Sequence, residues 1–254
     1  MLLLRNLIYW FCLCIFCLIW IWVVIISMAF PNGVTWSTTV WGKTLFLMLD
    51  KIIGLKYEAF GQENIPDEAV IVCCKHQSGW ETLAMLTFFP NLTFVAKREL
   101  FWIPIFGWAL KWRGTIGIDR SKPRLANQQI ISQGKICHAK GVSICIFPEG
   151  TRIKPGYRGL YKKGAARLAQ NLHMNLLPIA LNSGEFWPKD SFLKYPGKVT
   201  MVIGKVIAYD AAPTPEELIK LCENWIENEQ IKIQGVGPFA PQNRQNPTPL
   251  YHSD

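Results

Sequence analysis

Histidine is scarce in this chain, with four in 254 residues. His76, His138, His173 and His252 are not spaced as metal ligands, either with one another or with cysteine pairs, so no metal site is expected. The G-x-S-x-G elbow is missing as well, which argues against a serine hydrolase of the α/β-hydrolase type. No internal repeat is present. The eight cysteines form no disulfide framework: Cys12, Cys14 and Cys17 fall in one apolar run, Cys73 and Cys74 are adjacent, and the others are scattered. That pattern points to a domain facing a reducing compartment. Cys14 and Cys17 make a CxxC only because the run around them is apolar. Acidic residues are few, 18 against 27 Lys and Arg, giving a net charge of +9. Such a balance favours an anionic partner: nucleic acid, a membrane surface or a phosphorylated substrate. None of the usual nucleic-acid-binding modules matches, so nucleic acid is not expected as a partner.

What the chain has in abundance is apolar sequence. Half of its residues are hydrophobic, and residues 7–30 run for 24 positions without a charge. At about 1.5 Å per residue that run exceeds a hydrocarbon core of roughly 30 Å. A signal peptide would have a shorter apolar region and a small-residue cleavage site. The run is therefore expected to be an uncleaved membrane helix. A second stretch, 36–55, places Trp41, Leu45, Met48 and Ile52 on one helical face, opposite Thr39, Lys43, Asp50 and Gly54. This predicts an interfacial helix lying in one leaflet, and a helix packed on the domain satisfies the same pattern.

Beyond residue 56 the pattern changes to short β-like runs at 69–74, 92–96, 115–118, 142–147, 176–181 and 198–203. Helical stretches at 81–88, 123–140 and 162–171 separate them. This alternation predicts an α/β domain over 57–235, a central mixed sheet flanked by helices, behind a membrane anchor over 1–56. A last helix is expected after Thr214, with Thr214 as N-cap, Pro215 at the first position and Glu217 completing a capping box. The segment 236–254, rich in Pro, Asn and Gln, is expected to be a flexible tail. Between Lys97 and Arg167 there are 15 Lys and Arg and only three acids, Glu99, Asp119 and Glu149. Most of these cations fit a solvated face. Arg120 and Arg152 stand apart, because each closely follows an expected strand, where α/β sheets bind ligands.

Two short stretches can carry chemistry. In "KHQSGWET", His76 follows a strand and Glu81 lies five positions on, with Gly79 allowing a turn between them. A carboxylate on one imidazole nitrogen fixes the tautomer and leaves the other nitrogen to accept a proton. An acid in a helix's first turn is also favourable by itself, so Glu81 has a capping role open to it. In "IFPEGTR", Gly150 lets the backbone approach an anion and Arg152 can clamp phosphate.

Together "HQSGWE", "GTIGIDR", "FPEGTR" and "LPIAL", in this order and at these intervals, resemble the four sequence blocks of the glycerolipid acyltransferases. The resemblance is nearest to the bacterial 1-acyl-sn-glycerol-3-phosphate acyltransferases and covers roughly residues 56–207. It implies that His76, oriented by Glu81, deprotonates an acceptor hydroxyl for attack on an acyl thioester. Acyl-CoA or acyl carrier protein would be the donor, with no resident cofactor. The same resemblance places Arg120 and the turn Glu149, Gly150, Thr151 and Arg152 on the acceptor's glycerol phosphate, with Lys97 as a further phosphate contact. "LPIAL" would shape the site by packing. The first-block acid in the family is usually aspartate, and this chain has glutamate. The lipid bilayer and lysophosphatidic acid follow as implied partners, and the bacterial inner membrane, with the catalytic domain facing the cytoplasm, as the implied location. Another lysophospholipid or lyso-aminolipid acceptor, or an anionic-lipid-binding protein without turnover, are the alternatives.

Overall fold

In a computed structural model, residues 1–103, 106–119, 123–240 and 248–250 are described. Residues 7–27 of the charge-free run lie within α1 (Leu2–Ser27), the one helix among the described residues long and apolar enough to cross a membrane, and residues 28–30 form the turn after it. After a short turn α2 (Gly33–Met48) folds back along it, and Ser27 Oγ meets Ser37 Oγ at 3.1 Å. α2 continues as a single π-helical turn, Leu49–Ile53, which ends at Gly54 with φ 84°, a left-handed geometry that glycine adopts without strain.

The apolar stripe of this second helix is turned inward. Leu45, Leu49 and Ile53 are buried in the domain core, and Trp41, Met48 and Ile52 pack against it. The expectation of a stripe facing lipid is corrected here: the helix covers an apolar sheet face. Burying each Leu or Ile there contributes about 1.5–3 kcal/mol. α1 is anchored on the loop around Lys194 through its first half. The buried Asn6 donates to Lys194 O at 2.9 Å and accepts from Lys194 N at 2.7 Å. Trp10 Nε1 donates to Phe192 O, while Leu18, Trp22 and Ile26 farther along are exposed.

The sheet contains β1 (Leu55–Phe60), β2 (Ile71–Cys74), β3 (Leu92–Lys97), β4 (Ile116–Ile118), β5 (Ser143–Ile146), β7 (Leu176–Leu181) and β8 (Gly197–Ile203), in the order β1-β8-β7-β2-β5-β3-β4. β7, β2, β5, β3 and β4 run parallel. β8 is antiparallel to β7, and β1 is parallel to β8, so the sheet is mixed. The central strands β2 and β7 are buried at every position, as a sheet covered on both faces requires. On one face lie α1, α2 and α3 (Trp80–Phe88), around Phe46, Trp80 and Met85. On the other lie α5 (Pro123–Ala139), α6 (Gly164–Leu172) and α7 (Pro215–Ile233), around Ile144, Leu168 and Leu218. A short helix, α4 (Phe106–Trp112), precedes β4, and β6 (Tyr157–Gly159) pairs with β9 (Thr248–Leu250) outside the main sheet.

The six expected strands are all present, within a few residues of their expected ends. β1 is additional. Its charged, edge-type sequence pairs along β8, with Lys198 Nζ on Glu58 at 2.7 Å. Thr214 caps α7, accepting from Glu217 N, and Pro215 opens the helix. Past α7, the Glu185 carboxylate accepts the N–H groups of Gly235, Val236 and Gly237, and Phe239 packs edge-on to Tyr195. The first residues of the expected tail are thus docked on the domain.

Candidate active site

Because β7, β2, β5, β3 and β4 are parallel neighbours, the segments leaving their carboxyl ends share one edge of the sheet. That edge receives His76 after β2, the turn Glu149–Arg152 after β5, Lys97 at the end of β3, and Ser183 and Gly184 after β7. Sequence blocks far apart in the chain therefore converge where α/β sheets place ligands. Arg120, which follows β4, lies outside the described residues.

His76 Nδ1 lies 2.8 Å from Glu81 Oε1. The His76 side chain is 16 % exposed and that of Glu81 is 0 % exposed. Glu81 is crowded with donors: Gln77 N and Ser78 N reach Oε1 at 2.7 Å, while Ser78 Oγ and Ser183 Oγ reach Oε2 at 2.7 and 2.8 Å. Burial opposes its charge, but the hydrogen bond and charge of His76 and the bonds from Ser78 outweigh burial, holding the carboxyl below its ordinary range. An ionised Glu81 accepts the Nδ1 proton, which leaves the Nε2 lone pair to take another. The ring also stacks on Phe147, with centroids 3.9 Å apart and planes at 15°. Carboxylate and aromatic face together limit how the imidazole can turn.

Gly79 has φ −87°, which any residue adopts, so the loop does not need glycine there for its backbone. Its hydrogen instead faces the Trp187 ring, where a Cβ would come within 3.4 Å of Cζ2. The N–H groups of Gln77 and Ser78 are already spent on Glu81. In the other turn, Gly150 has φ 70° and does require glycine.

Glu149 is turned away from solvent. Its Oε1 lies 2.7 Å from Lys75 Nζ and accepts from Gly159 N, and its Oε2 accepts from His76 N at 3.1 Å. Lys75 Nζ also lies 2.7 Å from Glu227 Oε1 of α7, which accepts from Tyr161 Oη. Both side chains of the Lys75–Glu149 pair are 0 % exposed. Burial pushes the Glu149 carboxyl above its usual range against the pull of Lys75, and the nearby Glu227 adds to the rise. For Lys75, burial works against the charge, yet Glu149 and Glu227 together raise it. Glu149 therefore ties the two loops together from inside. Ile153 N strengthens the tie, donating to His76 O at 2.8 Å. In contrast, Thr151, Arg152 and Lys97 are exposed at the same edge.

Reading the sequence by itself did not single out Lys75, Phe147, Ser78, Ser183 or Glu227. Lys75, Ser78 and Phe147 lie inside the two motif stretches, but nothing local shows what their side chains meet. Glu227 sits in a helix whose pattern signals only amphipathicity.

Residues 56–182 match the model of the family described as Acyltransferase. The 1-acyl-sn-glycerol-3-phosphate acyltransferase of Pseudomonas aeruginosa is 41 % identical over 198 residues, 77 % of each chain. The chloroplast enzyme of that name from Arabidopsis thaliana, LPAT1, is 34 % identical over 152 residues, covering 58 % of this chain and 42 % of its own. Among solved structures, the 1-acyl-sn-glycerophosphate (LPA) acyltransferase PlsC of Thermotoga maritima superposes with a TM-score of 0.75 at 26 % identity, covering 91 % of this chain and 95 % of its own.

Proposed function

The chain belongs to the acyltransferase family, and from that premise we propose that it moves an acyl chain from an acyl thioester to the sn-2 hydroxyl of 1-acyl-sn-glycerol-3-phosphate, giving phosphatidic acid. The observation that carries this is the His76–Glu81 pair at 2.8 Å on the carboxyl edge of the sheet. His76 Nε2 takes the proton of the acceptor hydroxyl as its oxygen attacks the thioester carbonyl. The carbon–sulfur bond then breaks, and the proton passes to the leaving thiolate. Glu81 stabilises the imidazolium between these two transfers. A thioester is already activated, so orientation and one general base, worth about 10²–10⁴-fold, meet much of the demand.

Lys97 and Arg152 are cast as the acceptor's phosphate contacts, Arg152 through bidentate charge-assisted hydrogen bonds. Gly150 and Thr151 shape the turn that presents Arg152, and Glu149 holds that turn from beneath. Arg120 is proposed for the same phosphate. Steady-state assays of the purified chain with a panel of lysophospholipid and lyso-aminolipid acceptors, each with acyl-CoA and acyl carrier protein donors, test the reading. Preference for lysophosphatidic acid supports it, and preference for another acceptor replaces the substrate while leaving the chemistry.

The membrane placement has its own support. The start of α1 docks on the domain, and α2 with the π-helical turn that continues it docks along its length, from Thr38 and Thr39 to Ile53, while Leu18, Trp22, Ile26 and Phe30 leave an apolar face of α1 and the turn exposed. A hairpin so held enters one leaflet of the bacterial inner membrane. All eight cysteines are free, which suits a domain on the cytoplasmic side. Lys163 is exposed there, and its labelling by an impermeant reagent in intact spheroplasts would contradict this orientation.

A further inference from the structure

A cleft of about 830 Å³ lies beside the edge strand β4, away from the His76–Glu81 pair. Its walls come from the turn Arg98–Trp102, from α4 and from α5. The lining is of two kinds. Trp102, Trp108 and Trp112 are aromatic yet 73 %, 56 % and 61 % exposed. Arg98, Lys111 and Lys140 supply positive charge, and no carboxylate lines the cleft among the described residues. Large exposed tryptophans in one patch are unusual on a surface that meets only water. Tryptophan beside lysine and arginine matches the boundary between acyl chains and anionic headgroups.

Position favours the same ligand. Arg113, also in the cleft wall, donates to Thr38 Oγ1 of α2 and to Pro90 O at 3.1 Å. Thr38 adjoins Ser37, the residue that joins α2 to the far end of α1. The cleft is thus braced against the apolar hairpin near its turn.

We propose that this cleft is a second membrane contact, which seats anionic phospholipid of the same leaflet the α1–α2 hairpin enters. It rests on the membrane placement argued above. The three tryptophans lie at headgroup depth, while Arg98, Lys111 and Lys140 pair with lipid phosphates. The second contact fixes the tilt of the domain, which the hairpin alone leaves free to swing, and holds the open edge of the sheet toward lipid-borne acceptor. An acidic protein such as the acyl carrier protein could also answer the positive charge. The aromatic surface and the continuity with the hairpin favour the bilayer.

Because the hairpin alone holds the chain on vesicles, the test must read local contact. The full chain, with benzoylphenylalanine in place of Trp108 or Trp112, is reconstituted into phosphatidylcholine vesicles with and without phosphatidylglycerol and irradiated. Phospholipid adducts, richer in phosphatidylglycerol than the mixture, are expected. Adducts with no lipid, or in simple proportion to the mixture, would overturn the proposal. Kinetics give the second arm, with Lys111→Gln/Lys140→Gln and Trp108→Ala/Trp112→Ala variants, all at exposed positions. With acyl-CoA as donor, KM for acceptor in anionic vesicles should rise, roughly five-fold for each cation removed. Activity on a short-chain, water-soluble acceptor should stay unchanged. A loss seen only with acyl carrier protein as donor would make the cleft a protein dock and defeat the proposal. Lipid adducts from the benzoylphenylalanine chains, beside a wild-type chain that transfers no acyl group, would fault the activity assigned above and leave the cleft standing.

Discussion

Glu81, in the first turn of α3, and Glu149, in the turn after β5, stand at the same sheet edge with fully buried side chains, and their surroundings push them in opposite directions. Glu81 meets a histidine side chain and four loop donors that keep it ionised. Glu149 shares a lysine with a second carboxylate and is held above the usual carboxyl range. On the proposed mechanism the first changes its interaction as a proton moves, while the second joins two loops through Lys75 and His76 N. Motif membership does not distinguish them. What does is which groups face each carboxylate.

The largest effect expected from this contrast is in His76→Ala, which should lower kcat by about 10²–10⁴-fold with little change in Tm. Adding Glu81→Gln to it should cost little more, since the pair acts as a unit. Additive losses would separate Glu81 from the histidine. On the Glu149 side the expected loss is in stability. Lys75→Met strands two buried carboxylates and should destabilise by about 3–5 kcal/mol, visible in urea titrations. A fully stable Lys75→Met protein would mean that the buried trio is not the tie between the loops.

The convergence of the motif residues was legible in the sequence, because strand-ending motifs locate a parallel sheet's carboxyl edge without any contact being known. His76 and Glu81 are five residues apart, and short separation made their pairing legible too. Glu149 was not, since its partner Lys75 is 74 residues away and Glu227 lies on a different element. From the sequence it joined the phosphate-facing residues, whereas the fold turns it inward. The stripe of α2 was read correctly as a stripe. Which apolar surface it would meet depends on the sheet face beneath it, and periodicity contains nothing about that.

Exposed cations offer a smaller effect. Arg152→Ala should raise acceptor KM by about 10–100-fold, the range for lost charge-assisted hydrogen bonds, with donor KM nearly unchanged. Equal changes in both would remove Arg152 from the phosphate. The smallest effect is in pH dependence. Glu81 titrates lower in the fold than in the unfolded chain, so its stabilisation is present above the unfolded value of about 4.3 and is lost as pH falls through the folded one. The Tm gap between wild type and Glu81→Gln should therefore narrow on acidification, and a gap that widens would contradict the lowered carboxyl.

The most direct test is kcat of Glu81→Gln, measured on folded protein with both substrates saturating, beside Glu149→Gln. If Glu81 supports the proton transfer, its kcat falls by about 10²-fold while Glu149→Gln loses mainly Tm. A Glu81→Gln enzyme that keeps wild-type kcat would leave His76 without its charged partner and contradict the account.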